Sequence, residues 1–75
     1  MQVEIKRVNH FPDIMKQNGW DREEAIRQSM YHARLSWPSA AKWADGETDV
    51  DLITLERMAA WLKLGKDDLL ETKLK

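Results

Sequence analysis

The sequence predicts a compact all-α domain of five helices, preceded by a short N-terminal strand or arm. Three observations predict it. Apolar residues recur at helical spacing in successive segments, as at Leu55, Met58, Ala59 and Leu62. Turn signals separate those segments, at Gly19, at Asp45-Gly46 and at Leu64-Gly65. The length, 75 residues, suits a single small domain over 1–75, with 1–9 as arm or strand and 10–72 as helical core. A chain this short buries only roughly 60–65% of its unfolded surface.

Val3, Ile5 and Val8 nearly alternate with polar residues, the pattern of a short strand. One strand needs a partner, expected to be a second copy or the Val50–Ile53 region. A first helix runs from about His10 to Asn18, with Pro12 in its first turn, Phe11, Ile14 and Met15 as its apolar stripe, and Gly19 as its C-cap. Asp21, with Glu24 three residues on, is a capping-box pattern. It opens a second helix from Arg22 to about Ala33, whose inward face is Ala25, Ile26, Ser29, Met30 and Ala33. Ser36 is the N-cap of a third helix that has Pro38 in its first turn, Ala40 and Trp43 inward, and Asp45-Gly46 at its end. Asp51 caps a fourth helix from about Leu52 to Lys63. A last short helix spans about Lys66 to Thr72 and buries Leu69 and Leu70.

Composition narrows the function classes. There is no cysteine, so no disulfide and no thiolate metal site. No run approaches the roughly 18–20 apolar residues of a membrane span, and Met1 to Val8 lacks the apolar core of a signal peptide. A soluble, cytoplasmic protein is expected. His10 and His32 form no ligand or catalytic pattern, Asp67-Asp68 fits the favourable end of a helix dipole, and no glycine-rich phosphate loop occurs. The expectation is not an enzyme, with no metal, no cofactor and no small-molecule substrate. Four tryptophans are many for this length and read as core builders. The formal net charge is −1, but it is unevenly spread. Residues 1–44 carry seven bases against five acids, +2; residues 45–75 carry five bases against eight acids, −3. Such polarity orients a molecule toward an anionic partner.

The stretch from Leu35 to Gly46 reads as a short capped helix with small residues on its flank, a shape suited to a DNA major groove. Together with Thr54 to Leu64 and Asp67-Asp68-Leu69-Leu70, it resembles the phage-repressor helix-turn-helix family (Cro and lambda-repressor type, XRE-like) over roughly residues 10–71. The resemblance implies a compact lambda-repressor-like fold. The turn before that family's third helix usually holds a glycine at positive φ; the matching residue here is Arg34, which adopts that conformation only at a cost. The stretch from Asp21 to Ile26 matches the family's second-helix start but lies about one turn too far from Leu35: either that helix is extended, or its DNA-facing start is nearer Arg27-Gln28.

The outward positions at the start of the third helix are the candidate base contacts: Trp37, Pro38, Ser39, Ala41 and Lys42. Ser39 donates or accepts, Lys42 reaches guanine or a phosphate, and Ala41 and Pro38 suit close approach to a thymine methyl. Trp37 offers one N–H and an apolar face; the alternatives are a lid over the second helix or contact with a partner protein. Candidate phosphate contacts are Arg27, Gln28, Arg34, Ser36 and Thr48, with Lys16, Lys6 and Arg7 at the periphery. Trp43 is assigned to the core, and Trp61 either to the core or to a homodimer seam.

The function expected from this reading is sequence-specific binding of double-stranded DNA by a transcriptional regulator. The helix at about 36–44 enters the major groove, and a homodimer spans half-sites about 10 base pairs apart. Two other readings remain open: a protein-interaction module on the same fold without DNA binding, and an antitoxin or recombination accessory factor.

Overall fold

A computed structural model describes residues 5–74. The described elements are β1 (Ile5–Asn9), α1 (Phe11–Asn18), α2 (Arg22–His32), α3 (Trp37–Ala44), α4 (Leu52–Leu62), α5 (Lys66–Leu69) and β2 (Leu70–Leu74). Val3, expected in the first strand, lies outside the described residues.

The fold departs from the all-α expectation. β1 and β2 form a two-stranded antiparallel sheet, with Ile5 opposite Leu74, Arg7 opposite Thr72 and Asn9 opposite Leu70. The last helix therefore stops at Leu69 instead of reaching Thr72. A four-residue helix has little to lose at its end, whereas Leu70 to Leu74 can satisfy the whole inner edge of β1 by extending. Val50–Ile53, the other expected partner, forms the approach to α4 and its first turn instead.

Local chemistry fixes most helix ends. Gly19 closes α1 at φ 69, and the Trp20 N–H reaches back to the Met15 carbonyl at 2.9 Å. The Asp21 carboxylate accepts the Glu24 N–H at 2.8 Å and starts α2. Gly46 takes φ 77 after α3, and a Cβ there would stand 3.3 Å from Pro12 Cγ. Two ends differ from expectation. Ser36 occupies the N-cap position of α3, but its hydroxyl donates to Ser39 Oγ at 3.1 Å and caps no backbone N–H. The left-handed residue after α4 is Lys63, at φ 57, while Gly65 has an ordinary φ of −69.

The core is built from large rings and small spacers. Trp43, Phe11, Met58 and Leu69 are fully buried. Phe11 meets Trp43 edge to face, with centroids 6.5 Å apart and planes at 84°. Ala25, Ala40 and Ala44 are buried around them. The Trp43 indole N–H donates to Thr54 Oγ1 at 3.3 Å, and that hydroxyl donates to the Asp51 carbonyl at 2.8 Å. Met30, expected on the inward face of α2, is 39% exposed. Trp61 is half-buried in a pile of three parallel rings, 5.7 Å from Trp20 and 5.3 Å from His32, both at 8°. This pile joins the α1–α2 turn to α2 and α4.

Candidate nucleic-acid interface

Three residues carry the chain from the end of α2 to the N-cap of α3. Ala33 is still in the right-handed region, Arg34 flips to φ 55, and Leu35 is buried at 6% exposure. The flip turns the chain so that α3 packs across α2. It occurs at the position where the family pattern has glycine. The Arg57 guanidinium donates to the Arg34 carbonyl at 3.2 Å and ties this turn to α4.

α3 buries half of its residues. Ala40, Ala41, Trp43 and Ala44 are buried. Trp37, Pro38 and Lys42 are exposed and Ser39 is half-buried, forming the outer rim. Ala41, at 6% exposure, faces the core, so its methyl is withdrawn from any surface contact and it leaves the candidate set. An alanine fits either face of a helix, and its burial follows from the tight approach of its neighbours.

Trp37 is 53% exposed and lies against the side of α2. Its ring lies 5.7 Å below the guanidinium of Arg22. Arg22 in turn donates to Asp45 twice, Nε to Oδ1 at 2.7 Å and Nη2 to Oδ2 at 3.1 Å. The hydrogen bond from Arg22 holds the Asp45 carboxyl below its ordinary range, and the same contact raises the guanidinium pKa. One chain of contacts thus links the start of α2, the start of α3 and the C-cap of α3. Sequence reasoning missed Arg22; its signal was its place in the first turn of α2. Beside Trp37, an open groove of about 320 Å³ runs between the helices, lined by Arg22, Glu23, Ile26, Arg27 and Met30.

Carboxylates crowd the other end of the rim. Lys42 Nζ donates to the Asp49 carbonyl at 3.4 Å. Pro38, Ser39 and Lys42 share a depression of about 160 Å³ with Asp49, Val50, Asp51 and Thr54.

The candidate phosphate contacts are scattered. Arg27 borders the Trp37 groove and pairs with Glu24 at 3.0 Å. Gln28 donates to the other Glu24 oxygen at 2.9 Å and opens onto the depression of Trp20, His32 and Trp61, on the α1 and α4 side. Arg34 lies with Arg57 and Trp61. Ser36 is exposed beside the rim, and Thr48 is half-buried in the loop after α3. Lys16 is exposed in the last turn of α1, and Lys6 and Arg7 are exposed on β1. Trp37 and Arg27 border one groove against α2, Pro38, Ser39 and Lys42 share a different depression beside the start of α4, and Gln28 and Arg34 open elsewhere.

His10 is engaged by Glu71 at 2.8 Å and Asp13 at 3.6 Å. Among the described residues, no three His, Asp or Glu side chains converge to hold a metal ion, and no helix is long and apolar enough to cross a membrane. No family model, curated protein or solved structure matches the chain.

Proposed function

We propose that this protein is a cytoplasmic, dimeric transcriptional regulator of the phage-repressor helix-turn-helix type, which presents α3 to the major groove of double-stranded DNA. The observation that carries this reading is the left-handed turn at Arg34, φ 55, which stands α3 across α2 with one face buried and its N-terminal rim exposed. Groove readers of this design use the first residues of the second helix of the pair. Here those are Trp37, Pro38 and Ser39, followed one turn on by Lys42.

The assigned roles follow from side-chain chemistry. Lys42 donates to guanine O6 or N7, or to a phosphate. Trp37 offers an apolar face to thymine methyls. Arg27 contacts the backbone once it leaves Glu24; that exposed pair is cheap to break. Asp49 and Asp51 repel phosphates from the far end of the rim and so restrict the docking orientation. Two copies are needed because one module makes too few contacts for specific affinities of roughly 10⁻⁸ M or tighter.

Fluorescence anisotropy with a library of genomic duplexes tests the reading. Salt-sensitive binding that weakens at least tenfold in Lys42→Ala supports it. Absence of binding to every duplex at about 50 mM salt sinks it.

A second reading has its own observation in favour. The groove of Ile26, Met30 and Trp37 is apolar at its floor, and acidic residues surround α3. A protein partner seated there would be lost on Trp37→Ala and unaffected by competitor DNA.

A further inference from the structure

The antiparallel register sets Lys6 directly opposite Lys73. Directly opposed residues share one face of the sheet, with Cβ atoms about 5 Å apart, and like charges so placed destabilise the pairing. Both lysines are exposed. Among the described residues, the carboxylate next along that face is Glu71, two residues from Lys73. Its Oε1 is engaged by His10 at 2.8 Å, while its Oε2 is 4.0 Å from Lys73 Nζ. Arg7, paired with Thr72, belongs to the opposite face.

We propose that Lys6 and Lys73 together hold one phosphate group, a backbone phosphodiester of the bound duplex; the duplex part of this inference rests on the DNA-binding reading above. Two ammonium groups on flexible stems converge naturally on one anion with several acceptor oxygens. That anion also relieves the repulsion which the bare sheet carries. The sheet is fixed relative to α3, because the Asn9 amide donates to the Trp43 carbonyl at 3.3 Å and to the Glu47 carbonyl at 2.8 Å. These bonds reach the C-terminal end of α3 and the loop after it, and the lysine pair lies on the sheet, outside the residues of the α3 rim. Lys73 is a new member of the contact set. Its role arises only from its pairing with β1.

The test compares wild type with Lys6→Thr and Lys73→Thr, since threonine keeps strand propensity while removing the charge. Two quantities are measured: thermal stability without ligand, and duplex affinity as a function of salt. Each substitution is expected to hold or raise Tm, and the double variant Lys6→Thr/Lys73→Thr to lower the slope of log Kobs against log salt by about 0.9, the value for the one phosphate they share. An unchanged slope in the double variant overturns the site while leaving the DNA-binding reading intact. If the wild type binds no duplex, that reading falls, and a titration with inorganic phosphate followed by amide chemical shifts decides the site alone. Saturable shifts at Lys6 and Lys73 that vanish in Lys73→Thr support it; absence of shifts overturns it.

Discussion

The guanidinium of Arg22 lies 5.7 Å above the indole of Trp37 while its nitrogens grip Asp45 at 2.7 and 3.1 Å. Each contact alone is weak, because all three side chains are largely in solvent. Together they set the direction of the largest exposed ring on α3 without burying it. A ring that is held in place but left wet costs little stability and is ready for contact.

Trp37→Ala should therefore separate function from fold. The side chain is half in solvent, so the loss in unfolding free energy should stay near or below about 1 kcal/mol. Duplex affinity should fall at least tenfold if the ring meets bases. Chemical denaturation and anisotropy on the same sample provide the comparison. A large stability loss would instead make Trp37 a packing residue.

Asp45 makes a pH prediction. Its folded pKa is depressed, mainly by the hydrogen bond from Arg22. A depressed carboxyl contributes stability above its unfolded pKa, about 3.9, and loses it as pH falls through the lower folded value. Arg22 stays charged throughout. The Tm of wild type should exceed that of Asp45→Asn by a constant small amount at neutral pH, and the gap should close below about pH 4. A gap that persists unchanged at pH 2 would mean that the charge of Asp45 is irrelevant.

Arg34→Gly should stabilise the protein. An L-residue in the left-handed region costs roughly 1–2 kcal/mol, and glycine returns part of this as extra unfolded-state entropy. A net gain of up to about 1 kcal/mol corresponds to a rise of a few degrees in Tm for a domain of this size. The Arg34 carbonyl still accepts from Arg57, so the turn keeps its tie to α4. Arg34→Ala removes the side chain but keeps the strain, and should show no such gain.

The parts of the fold that were legible in the sequence are those decided within a few residues. Gly19, Asp21 and Gly46 mark helix ends by local stereochemistry, whereas Arg34 stood out as a strained turn residue only through the resemblance to a family with glycine at that position. β2 was not legible, because Leu69-Leu70 continues a helical pattern as readily as it starts a strand. Only β1, more than sixty positions away, decides between them. Lys73 was missed for the same reason. The burial of Ala41 and the grip of Arg22 on Asp45 are likewise products of how α2 and α3 cross. Trp43, too large to be left outside, was legible as core from its residue type and spacing.

Thr54→Val tests how that core tryptophan is held. The Thr54 hydroxyl accepts from the Trp43 indole and donates to the Asp51 carbonyl. Valine keeps the shape but strands a buried indole N–H, at a cost of about 1–3 kcal/mol. Thr54→Ser keeps the hydroxyl and should cost less. A larger loss in Thr54→Ser than in Thr54→Val would show that the methyl group, not the hydrogen bond, matters at this site.

Asp49→Asn and Asp51→Asn should both strengthen duplex binding. The two carboxylates share a depression with Ser39 and Lys42, and the Lys42 ammonium is drawn toward the Asp49 backbone. Removing either negative charge raises the potential along the rim that the proposed function assigns to DNA. The exposed position of both groups means that salt screens the effect over roughly 10 Å at 0.1 M. Affinity should therefore rise a few-fold at low salt and converge with wild type as salt increases. Weaker binding in both variants would place these carboxylates among the groups that contact DNA bases, as acceptors from cytosine amino groups.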